Sequence, residues 1–296
     1  MNPEITGTHR LVDKLAASAW LDGIADAIQP AIGSLLDSEG TFKTPLKNAL
    51  HGTWLGHALH PMLTDIPIGA WAVAAVCDGL ELVGMEGYGD AADIAIAIGS
   101  AAAFAAALTG WADWSDTRDD PKRLGIAHAA LGGAALSAYL ASLAMRAAGS
   151  RRAAAWTALA AYGVVSAGAY LGGELSTGMH LGTKHTSPAL EPPNDFVAVC
   201  PEDDLPEGKM KRVDLAGIPV LIARTFGDVT AVAAVCTHRG GPLDEGTMEG
   251  SCVRCPWHGG LFDLRTGIVR DGPPTFPLAT FEARVSGGRI ELRRSN

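Results

Sequence analysis

Two short stretches hold four residues able to bind metal together. Cys236 and His238 form a Cys-x-His pair, and Cys255 and His258 form a Cys-x-x-His pair a loop later. Thiolates are soft ligands, and two Cys with two His fit a tetrahedral structural zinc site. The same set fits an asymmetric [2Fe–2S] cluster, in which two Cys hold one iron and two His the other. Each stretch supplies one of each, as that cluster requires. Gly240, Gly241 and Pro242 follow the first pair, and Gly259 and Gly260 follow the second. Glycines there let backbone N–H groups approach cluster sulfurs closely.

A second set of histidines borders strongly apolar sequence. His57 and His60 precede the first apolar run, and His128 opens the third. Ionisable residues at membrane depth are candidates for function. A helix bundle can hold haem between two facing histidines. His128 with His60 or His57 is the pair to test for haem or another metal; the commoner role of histidines at helix ends is a backbone hydrogen bond or a place in the headgroup layer. A quinone site near the same face is the other use. Asp65 and Asp78 are expected as partners of these histidines, or as the lining of a polar cavity.

The elements that must position these residues divide the chain in four. Residues 1–50 form an amphipathic helical region, with Leu11, Leu15, Ile24, Ile28, Ile32 and Leu35 at roughly helical spacing. Pro30 should break or kink that pattern, and residues 37–50 read as polar and turn-rich. These helices either lie on a membrane surface or pack on the rest of the protein; packing is the expectation.

Residues 51–185 read as a four-helix membrane domain. Ile94–Ala112, Leu124–Met145 and Ala153–Gly173 are uncharged apolar runs long enough to cross a bilayer, and Met62–Val83 is a fourth, interrupted by Asp65, Asp78 and Glu81. Residues 84–92 carry acidic residues and no Lys or Arg, whereas residues 113–123 carry Arg118, Lys122 and Arg123. Arg146, Arg151 and Arg152 weigh the other way. The balance puts both termini, and the metal-binding domain, in the cytoplasm.

Residues 186–193 form a Pro-bearing linker, and 194–296 an all-β domain. Strands are expected at Phe196–Cys200, Ile218–Ala223, Val229–Val235, Phe281–Val285 and Arg289–Leu292. The fold class is therefore two-domain, an N-terminal all-α four-helix transmembrane bundle and a C-terminal all-β domain.

The stretches CTHRGGPLDEG and CPWHGGLFDLRTG resemble the cluster-binding loops of Rieske proteins, and residues about 194–294 resemble a complete Rieske ferredoxin-type domain. The resemblance implies that Cys236 and Cys255 ligate the inner iron and His238 and His258 the outer. It also implies that residues 272–277, with Pro273, Pro274 and Pro277, cover the cluster. High-potential Rieske proteins have a disulfide over the cluster; Gly241 and Trp257 stand at those two places here. Gly260 and Phe262 replace their Ser and Tyr hydroxyl donors, so a low potential is implied. Residues 50–185, through GHALHPMLTDIPIGAW, IAHAALG and YLGGEL, resemble bacterial four-helix membrane proteins with no assigned activity.

Composition narrows the function. The formal net charge of −9 argues against a nucleic-acid partner. Five cysteines, two of them in the metal set, make no disulfide framework, so Cys77, Cys200 and Cys252 read as small buried apolar residues. No secretory signal is recognisable at the N-terminus.

The expected function is a membrane-anchored, low-potential Rieske electron-transfer protein. It would pass single electrons from a cytoplasmic donor, such as an NAD(P)H-dependent flavin reductase, to an oxygenase, a quinone or a membrane-bound haem b. The alternatives are a redox or oxygen sensor, or a component of a membrane oxidoreductase with a haem or iron site in its bundle. A stand-alone oxygenase is disfavoured, because no histidine after His258 could join a second iron site.

Overall fold

Alanine and glycine set the packing of the helical part. The structure, a computed structural model, describes residues 7–36, 45–184 and 191–295. The chain divides into two units: Met1–Leu36 with Leu59–Leu181, and Asp37–Ala58 with Gly182–Asn296.

In the first unit, helices α4 (Leu59–Leu82), α5 (Gly89–Ser115), α6 (Asp119–Ala147) and α7 (Arg151–Gly173) are each long and apolar enough to cross a membrane. They outrun the apolar runs at their ends because charged residues continue the helical turns. Asp119 and Asp120 open α6 and Arg146 closes it, each matching the sign of the helix dipole. Small side chains at Ala74, Ala95, Ala158 and Ala161 let the helices approach closely around Trp71, which stacks on Tyr139 with 4.2 Å between ring centres. Val73, Val76, Ile94, Ile98, Phe104, Leu108, Leu140 and Trp156 point outward and are exposed. An apolar outer face of that extent suits lipid rather than water.

Asp78 does not partner a histidine. Its carboxylate accepts from Arg146 at 2.6 Å; Arg146 also bonds Asp93 at 2.8 Å, and Arg151 reaches Asp93 at 3.1 Å. The buried carboxylate takes a guanidinium because a buried charge needs a counter-charge. Asp65 is exposed.

Helices α1 (Gly7–Ala16) and α2 (Trp20–Leu36) pack on the bundle. Val12 meets Leu124, Leu171 and Leu175; Leu21 and Ala25 meet Trp114 and Ile126. Of the expected break or kink, the break is absent: α2 runs through Pro30. The Gln29 amide donates to the carbonyls of Trp114 (3.1 Å) and Thr117 (2.9 Å), and so holds the helix where proline removes a backbone donor.

The second unit is built on two antiparallel sheets. Six strands run in the order β1-β10-β9-β4-β3-β2: Val197–Pro201, Arg289–Arg294, Thr280–Ser286, Asp228–Ala233, Ile218–Thr225 and Met210–Leu215. Four short ones follow in sequence, β5 (Thr247–Glu249), β6 (Cys252–Arg254), β7 (Leu261–Asp263) and β8 (Val269–Asp271). Two-residue turns at Ala216–Gly217, Phe226–Gly227 and Gly287–Gly288 have positive φ throughout and pin the register of their hairpins.

Residues 45–58 belong to this unit, not with the helical region or the membrane domain to which the sequence pattern gives them. Helix α3 (Pro45–His51) buries Lys47 and His51. The Asn48 side chain bonds Asp271 (2.9 Å) and the Gly272 N–H (2.8 Å), fixing the segment to the end of β8. Most of the expected 186–193 linker lies outside the described residues.

Candidate metal centre

The two Cys–His stretches form matching loops. One joins β4 to β5 and the other joins β6 to β7. In each, the Cys N–H donates to the carbonyl of the glycine five residues on: Cys236 to Gly241 and Cys255 to Gly260, both at 2.8 Å. The glycine four residues on donates back to the Cys carbonyl, Gly240 at 3.0 Å and Gly259 at 3.1 Å. Gly240 and Gly259 have φ of 74° and 71°, a left-handed conformation that glycine adopts without strain.

The loops face one another. The thiols of Cys236 and Cys255, 2% and 3% exposed, are hydrogen-bonded to each other. The His238 and His258 rings lie half-buried, with centres 4.9 Å apart and planes at 89°. The hydrogen bond from Cys236 pulls the Cys255 thiol down to about 6 against the effect of burial, helped by the backbone N–H groups of Trp257 and His258. The same bond, with burial, pushes Cys236 up, against the N–H groups of His238 and Arg239. Four backbone donors therefore already point at the two sulfurs. Among the described residues no three His, Cys, Asp or Glu side chains converge tightly enough for one metal ion. Two buried thiols with two half-buried imidazoles beside them are the donor set that an asymmetric [2Fe–2S] cluster requires.

The supporting shell is close-fitting. A Cβ on Gly241 would lie 2.9 Å from the Cys255 sulfur, and one on Gly260 only 2.5 Å from Pro274 Cγ. Phe262 is fully buried in the same cluster of side chains as both cysteines. The Thr237 hydroxyl donates to the Phe276 carbonyl at 2.6 Å and ties the first loop to the proline-rich segment. Arg254 donates to the Gly259 carbonyl at 2.6 Å, pairs with Glu249 at 2.6 Å and faces Asp271 at 3.4 Å. Arg254, Asp271 and Asn48 carry no motif. Asn48 lies 223 positions from Asp271, so no local pattern could have joined them.

The remaining histidines separate. His60 and His128 come together in the first unit, ring centres 6.2 Å apart. His57 packs in the second unit, its ring 5.7 Å from that of Phe276 and its Nδ1 bonded to the Ala58 carbonyl at 3.0 Å. Cys77 and Cys200 are buried as expected and Cys252 is half-buried, all three as free thiols.

Residues 195–282 match the family described as Rieske [2Fe-2S] domain, and residues 56–185 the family described as Predicted membrane protein (DUF2231). Ferredoxin CarAc of Metapseudomonas resinovorans is 35% identical over 96 residues, which cover 32% of this chain and 90% of that protein. The ferredoxin component of the p-cumate 2,3-dioxygenase system of Pseudomonas putida is 38% identical over 98 residues, 32% of this chain and 83% of that protein. Apoptosis-inducing factor 3 of Homo sapiens is 35% identical over 143 residues; the match covers 46% of this chain but only 23% of that longer protein. The chain therefore belongs to the Rieske [2Fe–2S] family, with its cluster domain joined in one polypeptide to a predicted membrane-protein domain.

Proposed function

We propose that the protein is a membrane-anchored, ferredoxin-like electron carrier of low potential. In this reading Cys236 and Cys255 hold the inner iron and His238 and His258 the outer. The observation that carries it is the pair of half-exposed imidazoles over two buried, hydrogen-bonded thiols. A bound [2Fe–2S] cluster supplies one-electron chemistry. The chain's own residues exclude water from the sulfurs, aim N–H groups at them and leave the imidazole edges accessible. Trp257, 48% exposed and 6.5 Å from the His258 ring, offers a partner an apolar contact beside that edge.

Two relatives are named as ferredoxins, one of them a component of a dioxygenase system. In this reading the donor is an NAD(P)H-dependent flavin reductase. The acceptor is an oxygenase, or a quinone or haem on the membrane side. The potential is expected near about −150 mV, the low end of the Rieske range, because positions 260 and 262 offer no hydroxyl donor.

The orientation follows from loop charge. Residues 113–123 favour the cytoplasm. The opposing Arg146 and Arg151 are engaged by Asp78 and Asp93, which weakens their contrary weight. Four spans return the chain to the face it left, so both ends of the bundle open to the cytoplasm.

The test is a redox titration of the full chain in mild detergent, followed by turnover with added reductase and oxygenase. A carrier is reduced and reoxidised catalytically. Reduction without turnover would favour a sensor, and a midpoint well above zero would overturn the low-potential reading.

A further inference from the structure

We propose that His60 and His128 are the axial ligands of a haem held between the two helical hairpins of the membrane unit. One device is used twice. His60, on α4, donates its Nδ1–H to the Ala106 carbonyl on α5 at 2.8 Å; His128, on α6, donates its Nδ1–H to the Gly168 carbonyl on α7 at 2.8 Å. A carbonyl only accepts, so both rings carry a proton on Nδ1 and keep Nε2 out of that bond. Four residues after each carbonyl comes a glycine against which the ring lies. A Cβ on Gly110 would sit 2.8 Å from His60 Cε1, and one on Gly172 would sit 3.1 Å from His128 Cε1. The hairpins α4–α5 and α6–α7 thus present the same ring, in the same tautomer, against the same small residue. The two rings then meet, 6.2 Å between centres and 84° between planes. Their hydrogen bonds are those to the two carbonyls, and neither Nε2 has a partner among the described residues.

The spacing fits haem better than the other ligands. Imidazoles on opposite sides of one metal, with metal–nitrogen bonds of ~2 Å and ~1.1 Å from nitrogen to ring centre, have centres ~6 Å apart. A quinone bonded by an imidazole at each carbonyl would hold the rings ~10 Å apart or more. A bare ion is poorly served, because no third His, Cys, Asp or Glu among the described residues joins the pair. A porphyrin brings four nitrogens of its own and asks the protein only for axial ligands. His57, packed against Phe276, is not one of them.

The inference deepens the carrier reading by naming its membrane-side acceptor. One electron from the reduced cluster would take the haem iron from ferric to ferrous, with no bond or proton exchanged. The site itself stands on geometry and is tested separately from that transfer.

The experiment uses the full chain in mild detergent, titrated with haemin. The expected result is one haem per chain with the low-spin, six-coordinate optical and electron paramagnetic resonance spectrum of two imidazole ligands. His60→Ala and His128→Ala should each lower bound haem at least tenfold while the Rieske spectrum stays unchanged. His128→Met should retain haem with an altered axial-ligand spectrum, which keeps the test decisive if an alanine variant does not fold. No uptake by the folded wild-type chain, a five-coordinate high-spin spectrum, or full retention in both alanine variants would overturn the proposal. Haem that binds as described but stays ferric when the cluster is reduced supports the site and removes haem as the carrier's acceptor.

Discussion

Asn48 donates a side-chain hydrogen bond to Asp271 at 2.9 Å across 223 positions of sequence. Asp271 in turn faces Arg254, whose guanidinium donates to the Gly259 carbonyl in the second metal-binding loop. The segment ahead of the first membrane helix thereby supports the loop that carries Cys255 and His258. Replacing Asn48 by Ala removes its bonds to Asp271 and Gly272, an expected loss of about 1–3 kcal/mol. The measurement is thermal bleaching of the cluster's visible absorption, which should occur at lower temperature in Asn48→Ala while the spectrum before heating is unchanged.

Phe262 and Gly260 should respond differently to added hydroxyls. Phe262→Tyr places a donor in the buried shell around the sulfurs. A hydrogen bond to the charged cluster of about 1.4 kcal/mol corresponds to a rise of ~60 mV for one electron. Gly260→Ser instead drives a Cβ towards Pro274, and cluster occupancy should fall. Redox titration of the first variant and iron content of the second check the pair; an undisturbed Gly260→Ser protein would contradict the close fit.

Acid should weaken the β unit through Asp263. Burial works to raise its carboxyl, but the Arg270 guanidinium and the N–H groups of Thr266 and Arg265 hold it below the usual carboxylate value. A carboxyl with a lowered folded value stabilises fully above its unfolded value, about 3.9, and loses that contribution as pH falls through the folded one. Denaturation midpoints measured from pH 6 downward should decline in that acid window. In Asp263→Asn the decline should be shallower and the plateau lower.

The Asp78–Arg146 pair makes the membrane unit sensitive to a single substitution. Asp78→Ala leaves a buried guanidinium with only Asp93 to compensate it, at an expected cost of about 3–5 kcal/mol. Replacing both residues by apolar ones of similar volume should restore much of the loss. Thermal unfolding in detergent distinguishes the two, and equal damage in the single and double variants would argue against an electrostatic origin.

The two Cys–His loops were readable in the sequence because their fold is local: a Cys, a His and paired glycines within six residues fix each loop's hydrogen bonds. The four long apolar helices were readable from apolar length, although charged end turns extend them. Asn48, Arg254 and Asp271 were not, since each acts through a partner on another strand or a distant segment. Pro30 misled for a related reason, because the Gln29 contacts that hold α2 through it come from the far end of α5. The histidine pair was half legible: residue type and apolar context marked His57, His60 and His128, but only the tertiary fold separates His57 from the other two.

The β unit is discontinuous, and this bears on how the chain is made. Asn48 leaves the ribosome 223 residues before Asp271. At 5–20 residues per second, that is a wait of about 10–45 s. All four long helices are synthesised in that interval. The early segment must stay unpaired while the helices are made, and the second unit closes only once β8 has emerged. Recombinant fragments that begin after the helices would never receive that first piece.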